Sequence, residues 1–157
     1  MTLDHYVQRA QAALTRADSL FGSASADGGP AADRLEDAAA TLRAVVAADM
    51  SGSAIMGYRT FAEDRAGALQ RLARTDAALN QVLHDAAAAE NAAASASRST
   101  VAAATAHVER SADPAPGAQH ALVAALQSEV GRQQELVNSH QQQAGRLSEQ
   151  LRQLSYD

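Results

Sequence analysis

The chain has 157 residues, a formal net charge of -5, and no cysteine, lysine or tryptophan. Hydrophobic residues make up 46% but aromatics only 3%, so much of the apolar content is alanine. This balance excludes disulfides, thiol catalysis, thiolate metal sites and a lysine-bearing phosphate loop, and it lacks the basic stripe of a nucleic-acid binder or a membrane-surface helix.

Such a chain buries many small side chains and few large ones. Alanine is the strongest helix former and lets backbones approach closely, which favours packed helices over a thick core. Nowhere do β-branched and aromatic residues alternate with polar ones over a useful length, so no strand is expected. The opening residues MTLDHYVQRAQ place Asp4 and His5 where a secretory signal needs positive charge and then an apolar run. The longest uncharged segment, 114–128, contains Gln119 and His120 and falls short of the roughly 20 apolar residues of a membrane span. A cytoplasmic location is expected, with neither a general secretory signal nor a span.

The first helix is expected over 3–21, with Thr2 as its cap. Leu3, Val7, Ala10, Leu14, Ala17 and Phe21 recur at steps of four and three and lie on one face. Gly28-Gly29-Pro30 then makes a turn, with proline placed to open the next helix. The second helix, about 31–49, carries Leu35, Ala38 or Ala39, Leu42, and Val45 or Val46. It ends at Met50-Ser51-Gly52, where glycine permits a tight reversal and Ser51 or Ser53 can cap the third helix.

The third helix is expected over about 53–110, because no proline interrupts it. Its inner face begins Ile55, Tyr58, Ala62, Leu69, Leu72, Leu79, Leu83. The face then thins to alanine, continuing to Val101 and Val108, which lie whole numbers of turns beyond Leu83 and Leu72. Low-complexity disorder is the competing reading of 86–106. Arg65, Asp76 and Glu90 interrupt the inner line and are expected at its solvated edges, or, for Arg65, in a pair with a carboxylate across an interface.

After the turn at 111–115, Pro116 opens a fourth helix running to about 154. Val123, Val130, Val137, Ala144 and Leu151 recur every seven residues, each followed three residues later by Leu126, Gln133, His140, Leu147 or Leu154. That is the a/d seam of a coiled coil over five heptads. Gln133 and His140 are polar at successive d positions. Either they specify register or partner, as a polar seam residue does, or the bundle opens there and both face solvent.

No chemistry-bearing constellation emerges. No two of the five histidines stand three or four residues apart, and neither H-E-x-x-H nor G-x-S-x-G occurs. No catalytic residue, cofactor, metal or small-molecule substrate is expected. The expected fold is an all-α, elongated, antiparallel four-helix bundle in one domain over 1–157, with one long central helix and a coiled-coil-like last helix. Apolar stripe left uncovered on the long helix implies a helical protein partner or self-association.

The stretch AADMSGSAIMGYRTF, residues 47–61, resembles the W-x-G hairpin of type VII (ESX) secretion substrates, with Met50, Ser51, Gly52 and Tyr58 as its hairpin residues. The resemblance covers about 31–105. RLARTDAALNQVL and PGAQHALVAALQSEVGRQQELV also resemble an uncharacterised actinobacterial helical family associated with such systems. The resemblance implies a substrate, co-substrate or chaperone-like partner of type VII secretion. The chain departs from that pattern in two places. Met50 stands where the motif has tryptophan, and the family's export signal, a tyrosine followed four residues later by an acid, is not met, since Tyr6 and Tyr58 are followed by Ala10 and Ala62. The signal would then be carried by a partner. The competing functional reading is a cytoplasmic structural or regulatory coiled-coil protein with no export role.

Overall fold

The structure, a computed structural model, describes residues 3–26, 30–46, 52–111 and 115–154. They form an all-α helical bundle of four helices: α1 (Leu3–Asp18), α2 (Ala31–Val46), α3 (Ser53–Arg110) and α4 (Pro116–Gln153). Where one domain is expected, the packing resolves two compact units, Met1–Ser25 with Ala86–Leu147 and Ala26–Asp85 with Ser148–Asp157.

The first unit joins α1, the C-terminal part of α3 and most of α4. Its core is Ala10 and Leu14 of α1, Ala104 of α3, and Leu122 and Leu126 of α4. Leu3, Tyr6, Val7, Val101, Val108 and Val130 pack around it, half-buried. Contacts fix the helix directions. Glu129, Gln133 and His140 meet His107, Ser97 and Glu90 in turn, so partners descend α3 as they climb α4, and the two helices are antiparallel. Asp18 meets Ser97 and Gly22 meets Glu90, so α1 also runs antiparallel to α3.

α1 stops at Asp18 rather than Phe21. The Ser19 hydroxyl donates to the Arg16 carbonyl, and the Leu20 and Phe21 amides each reach back three residues, the tightened turn that ends many helices. The chain beyond is tied to α3. The Gly22 amide donates to Glu90 Oε1 at 2.6 Å, and Ala24 exchanges two hydrogen bonds with the Asn91 side chain.

The second unit packs α2 on the N-terminal part of α3 through small residues. Ala39 of α2 and Ala62, Ala66 and Ala73 of α3 are all but fully buried. Leu35, Leu42 and Val46 flank Ala39, which decides the two alternatives on α2 in favour of Ala39 and Val46. The Arg43 guanidinium donates to the Gln70 side-chain oxygen. The inner face expected from Tyr58, Leu72 and Leu83 is corrected here: all three are exposed, and the buried line runs through the alanines. Close approach of two backbones needs small side chains at the contact, so the alanine line wins over its larger neighbours. Leu72 and Val108, ten turns apart on one line, therefore have different surroundings: Val108 packs against the first core and Leu72 is exposed.

α3 starts after Gly52, whose φ of 140° lies in the region that favours glycine. The Gly52 carbonyl accepts from the amides of Ile55 and Met56, both at 3.1 Å. Met50 and Ser51 lie outside the described residues, as do the caps expected of Thr2 and of Ser51 or Ser53. Residues 86–106 are helical throughout, which answers the disorder reading: alanine keeps its propensity where glycine and proline are missing.

Leu126 is fully buried in the first core, whereas Val137 is half-buried. Leu126→Asp should therefore destabilise the protein by about 3 kcal/mol or more, because a buried unpaired charge has no compensation. Val137→Asp should cost less than half as much. Urea unfolding followed by circular dichroism checks the ranking.

Candidate functional site

Polar groups gather where α1, α3 and α4 meet. Ser97 is fully buried, and its hydroxyl donates to Asp18 Oδ1 at 2.5 Å. The same hydroxyl oxygen accepts from Gln133 Nε2 at 2.8 Å. One small side chain thus links all three helices. Two turns away, Glu90 repeats the device. Its Oε1 accepts from the Gly22 amide, while its Oε2 lies 3.1 Å from His140 Nε2. The His140 ring also meets the edge of Phe21, with centroids 5.3 Å apart. Ser97 and Glu90 are seven residues apart on α3, as Gln133 and His140 are on α4, so each polar d position faces a dedicated partner.

This arrangement explains the polar seam positions. The bundle does not open at Gln133, which is buried, and His140 is half-buried in a pair with Glu90. The expectation that Glu90 sits at a solvated edge is corrected in the same way. A third polar residue, Glu129, is buried with Oε1 2.9 Å from Arg132 Nη1 and 3.9 Å from His107 Nε2. Among the described residues, Glu129 Oε2 and Gln133 Oε1 are buried without a hydrogen-bond partner. Each such acceptor costs about 1–3 kcal/mol against a satisfied one.

The seam itself is rotated from its expected position. The buried line of α4 is Leu122, Leu126, Glu129 and Gln133, which are the g and d positions. Val123, Val130 and Val137, at a, are only half-buried. Two neighbours flank α4, so its contact is broader than a two-stranded seam. The a side faces an open groove of about 670 Å³ along α1, walled by Leu14, Ala17, Leu20, Val130 and Val137. Beyond His140, residues 141–146 are exposed, Leu147 and Leu154 are half-buried, and Leu151 is exposed.

The second unit presents a different surface. Tyr58, Phe61, Leu72 and Leu83 of α3 are 52%, 56%, 37% and 41% exposed. Their spacings place them within one narrow arc of the helix, beside the buried alanine line. The stripe runs for about 37 Å at 1.5 Å per residue. Half-buried Leu69 and Leu79 fall within or beside the same arc. Arg65 lies on it too, with its guanidinium 5.2 Å from the centre of the Phe61 ring. Tyr58, expected on the inner face, is part of this open stripe.

No protein-family model, curated protein or solved structure matches the chain. Among the described residues, no three histidine or carboxylate side chains gather as a metal site would need. No helix among them is long and apolar enough to cross a membrane.

Sequence reasoning missed Ser97, Asp18 and Glu129. Ser97 sits in a run of small residues where serine and alanine look interchangeable, and Asp18 reads as the last polar residue of a helix. Glu129 carried a usable signal: it lies four residues before Gln133 and three after Leu126, on the face those two share.

Ser97→Ala leaves Gln133 Nε2 and Asp18 Oδ1 without their shared partner and should destabilise the protein by about 1–3 kcal/mol. Gln133→Leu removes an unsatisfied acceptor together with the amide and should fall within about 1 kcal/mol of the parent. The double variant should be less destabilised than the two single effects added together, since both act on one network. Thermal or urea unfolding of the four proteins closes that cycle, and a Gln133→Leu protein that fails to fold would contradict the assigned geometry.

Proposed function

We propose that this is a non-enzymatic helical interaction protein whose working surface is the apolar stripe of α3 from Tyr58 to Leu83. The observation that carries this reading is the exposure of four large apolar side chains in one arc, beside a line of alanines already used by α2. Aligned aromatic and aliphatic residues at helical spacing form the surface on which a second amphipathic helix lays its own apolar face. The first unit supplies a body in which the polar residues of α3 and α4 serve one another, which leaves the α3 stripe as the surface with most to gain from a partner.

A finer reading makes the partner part of a type VII secretion system, with this chain as substrate, co-substrate or chaperone-like companion. It rests on the resemblance of residues 47–61 to the W-x-G hairpin. Gly52 supports it with the positive φ that a tight reversal needs. The cytoplasmic coiled-coil reading shares the stripe and differs only in the absence of export.

A photo-crosslinking amino acid at position 72, in cells of the source organism, should capture a helical protein on the stripe, while the same group at Arg132 on the first unit should not. Recovery of uncrosslinked chain alone at position 72 would end the interaction reading. Comparing culture filtrate with lysate, with and without an intact type VII system, then addresses export: system-dependent appearance in the filtrate is the expected result, and retention in the lysate of both strains favours the cytoplasmic reading.

A further inference from the structure

We infer that the stripe pairs with a second copy of itself, antiparallel, about a two-fold axis passing between Gln70 and Arg71. This inference rests on the reading of the stripe as an interaction surface and names its occupant.

The stripe has a heptad pattern of its own. Tyr58, Arg65, Leu72 and Leu79 recur every seven residues, and so do Ala62, Leu69, Asp76 and Leu83, offset by four. These two series are the d and a lines of a two-stranded seam. In an antiparallel pair each a residue faces a d residue of the other chain. Placing the axis between Gln70 and Arg71 sets Leu69 against Leu72, Arg65 against Asp76 and Tyr58 against Leu83, every pair occurring twice, while Ala62, already buried within its own chain, leaves Leu79 at the edge of the seam.

The two charges on the seam decide the choice of occupant and direction. Arg65 and Asp76 are opposite in sign and stand at mirror positions about that centre, so the surface is its own complement. A parallel pairing in register would set Arg65 against Arg65 and Asp76 against Asp76, and like charges across an interface are strongly disfavoured. Within one chain the two residues are eleven positions apart, about 16 Å along the helix, and cannot meet. Arg65 is already held at the stripe by the Phe61 ring. A carboxylate has about four acceptor sites, so Asp76 can receive a second chain's guanidinium whatever it accepts within its own.

Two experiments on the full-length chain test the pairing. First, the absence of native cysteine makes every introduced thiol unique. Tyr58→Cys and Leu83→Cys proteins mixed under mild oxidation should form a disulfide, and neither should form one alone, because disulfide formation needs Cα atoms within about 7 Å. A disulfide in Tyr58→Cys alone would mean a parallel or different pairing and would overturn the inference. Second, Arg65→Asp and Asp76→Arg should each weaken self-association about 10-fold by sedimentation equilibrium, and the double exchange should restore it to within about 3-fold. Loss without restoration would overturn the pairing, since a merely structural role is not rescued by exchange. A chain that stays monomeric at millimolar concentration, yet is crosslinked at position 72 to a different protein, would sink the second copy as occupant and leave the interaction reading standing. The cysteine experiment leaves Arg65 and Asp76 untouched and so remains decisive if either charge variant fails to fold.

Discussion

The first unit depends on two polar joints, Asp18–Ser97–Gln133 and Gly22–Glu90–His140. Helices lined with alanine adhere well but hold register poorly, because one methyl group resembles the next when a helix slides by a turn. Leucine knobs penalise such a slip through lost shape complementarity; Ala93, Ala94 and Ala104 on α3 do so only weakly. A buried polar group has no such tolerance. If α4 slid by one turn, Gln133 would lose Ser97 and His140 would lose Glu90, leaving several polar groups buried and unpaired. The joints therefore contribute more to which packing is chosen than to how strongly the helices cohere, the role best attested for polar residues in helical seams.

The second unit solves the same problem by a different route. It uses Ala39, Ala62, Ala66 and Ala73 to bring α2 close to α3, with the Arg43–Gln70 hydrogen bond beside them. A helix that spends its small residues on one neighbour must place its large ones elsewhere. Tyr58, Phe61, Leu72 and Leu83 fall about a quarter turn away, and their exposure follows from α2 having taken the alanine face. The open stripe is thus a consequence of how α2 packs on α3, and its length is set by the uninterrupted helix beneath it.

These contrasts explain how much of the molecule was legible in its sequence. The four helices were legible because proline, glycine and apolar periodicity mark their limits: α3 and α4 start at Ser53 and Pro116 as expected. The burial pattern was less legible. Ranking residues by size points to Leu72 and Leu83 as interior, but at a close helix contact the smallest side chain is the one that fits. The α4 seam was read one position off-centre because heptads presume one partner, and α4 has two. Gln133 and His140 could be recognised as anomalous from their d positions. Their partners could not, since Ser97 lies 36 residues from Gln133 and nothing local distinguishes it from the alanines around it.

Arg65, Asp76 and Glu90 all interrupt the apolar line of α3, and their different settings connect the fold to the proposed function. Glu90 lies where α1 and α4 both press against α3, and it is occupied by the Gly22 amide and His140. Arg65 lies on the open stripe, and Asp76 belongs to the same heptad pattern. A charge within an apolar stripe weakens any pairing that fails to match it and leaves intact the one that does. Inside the chain, Glu90 enforces the height of one helix against two others. On the stripe, an acid and a base at mirror positions would do the same for a helix brought from outside. A purely apolar stripe of this length would adhere to almost any amphipathic helix; Arg65 and Asp76 restrict it to a surface with opposite charges eleven residues apart, and the stripe of a second copy has that pattern when reversed.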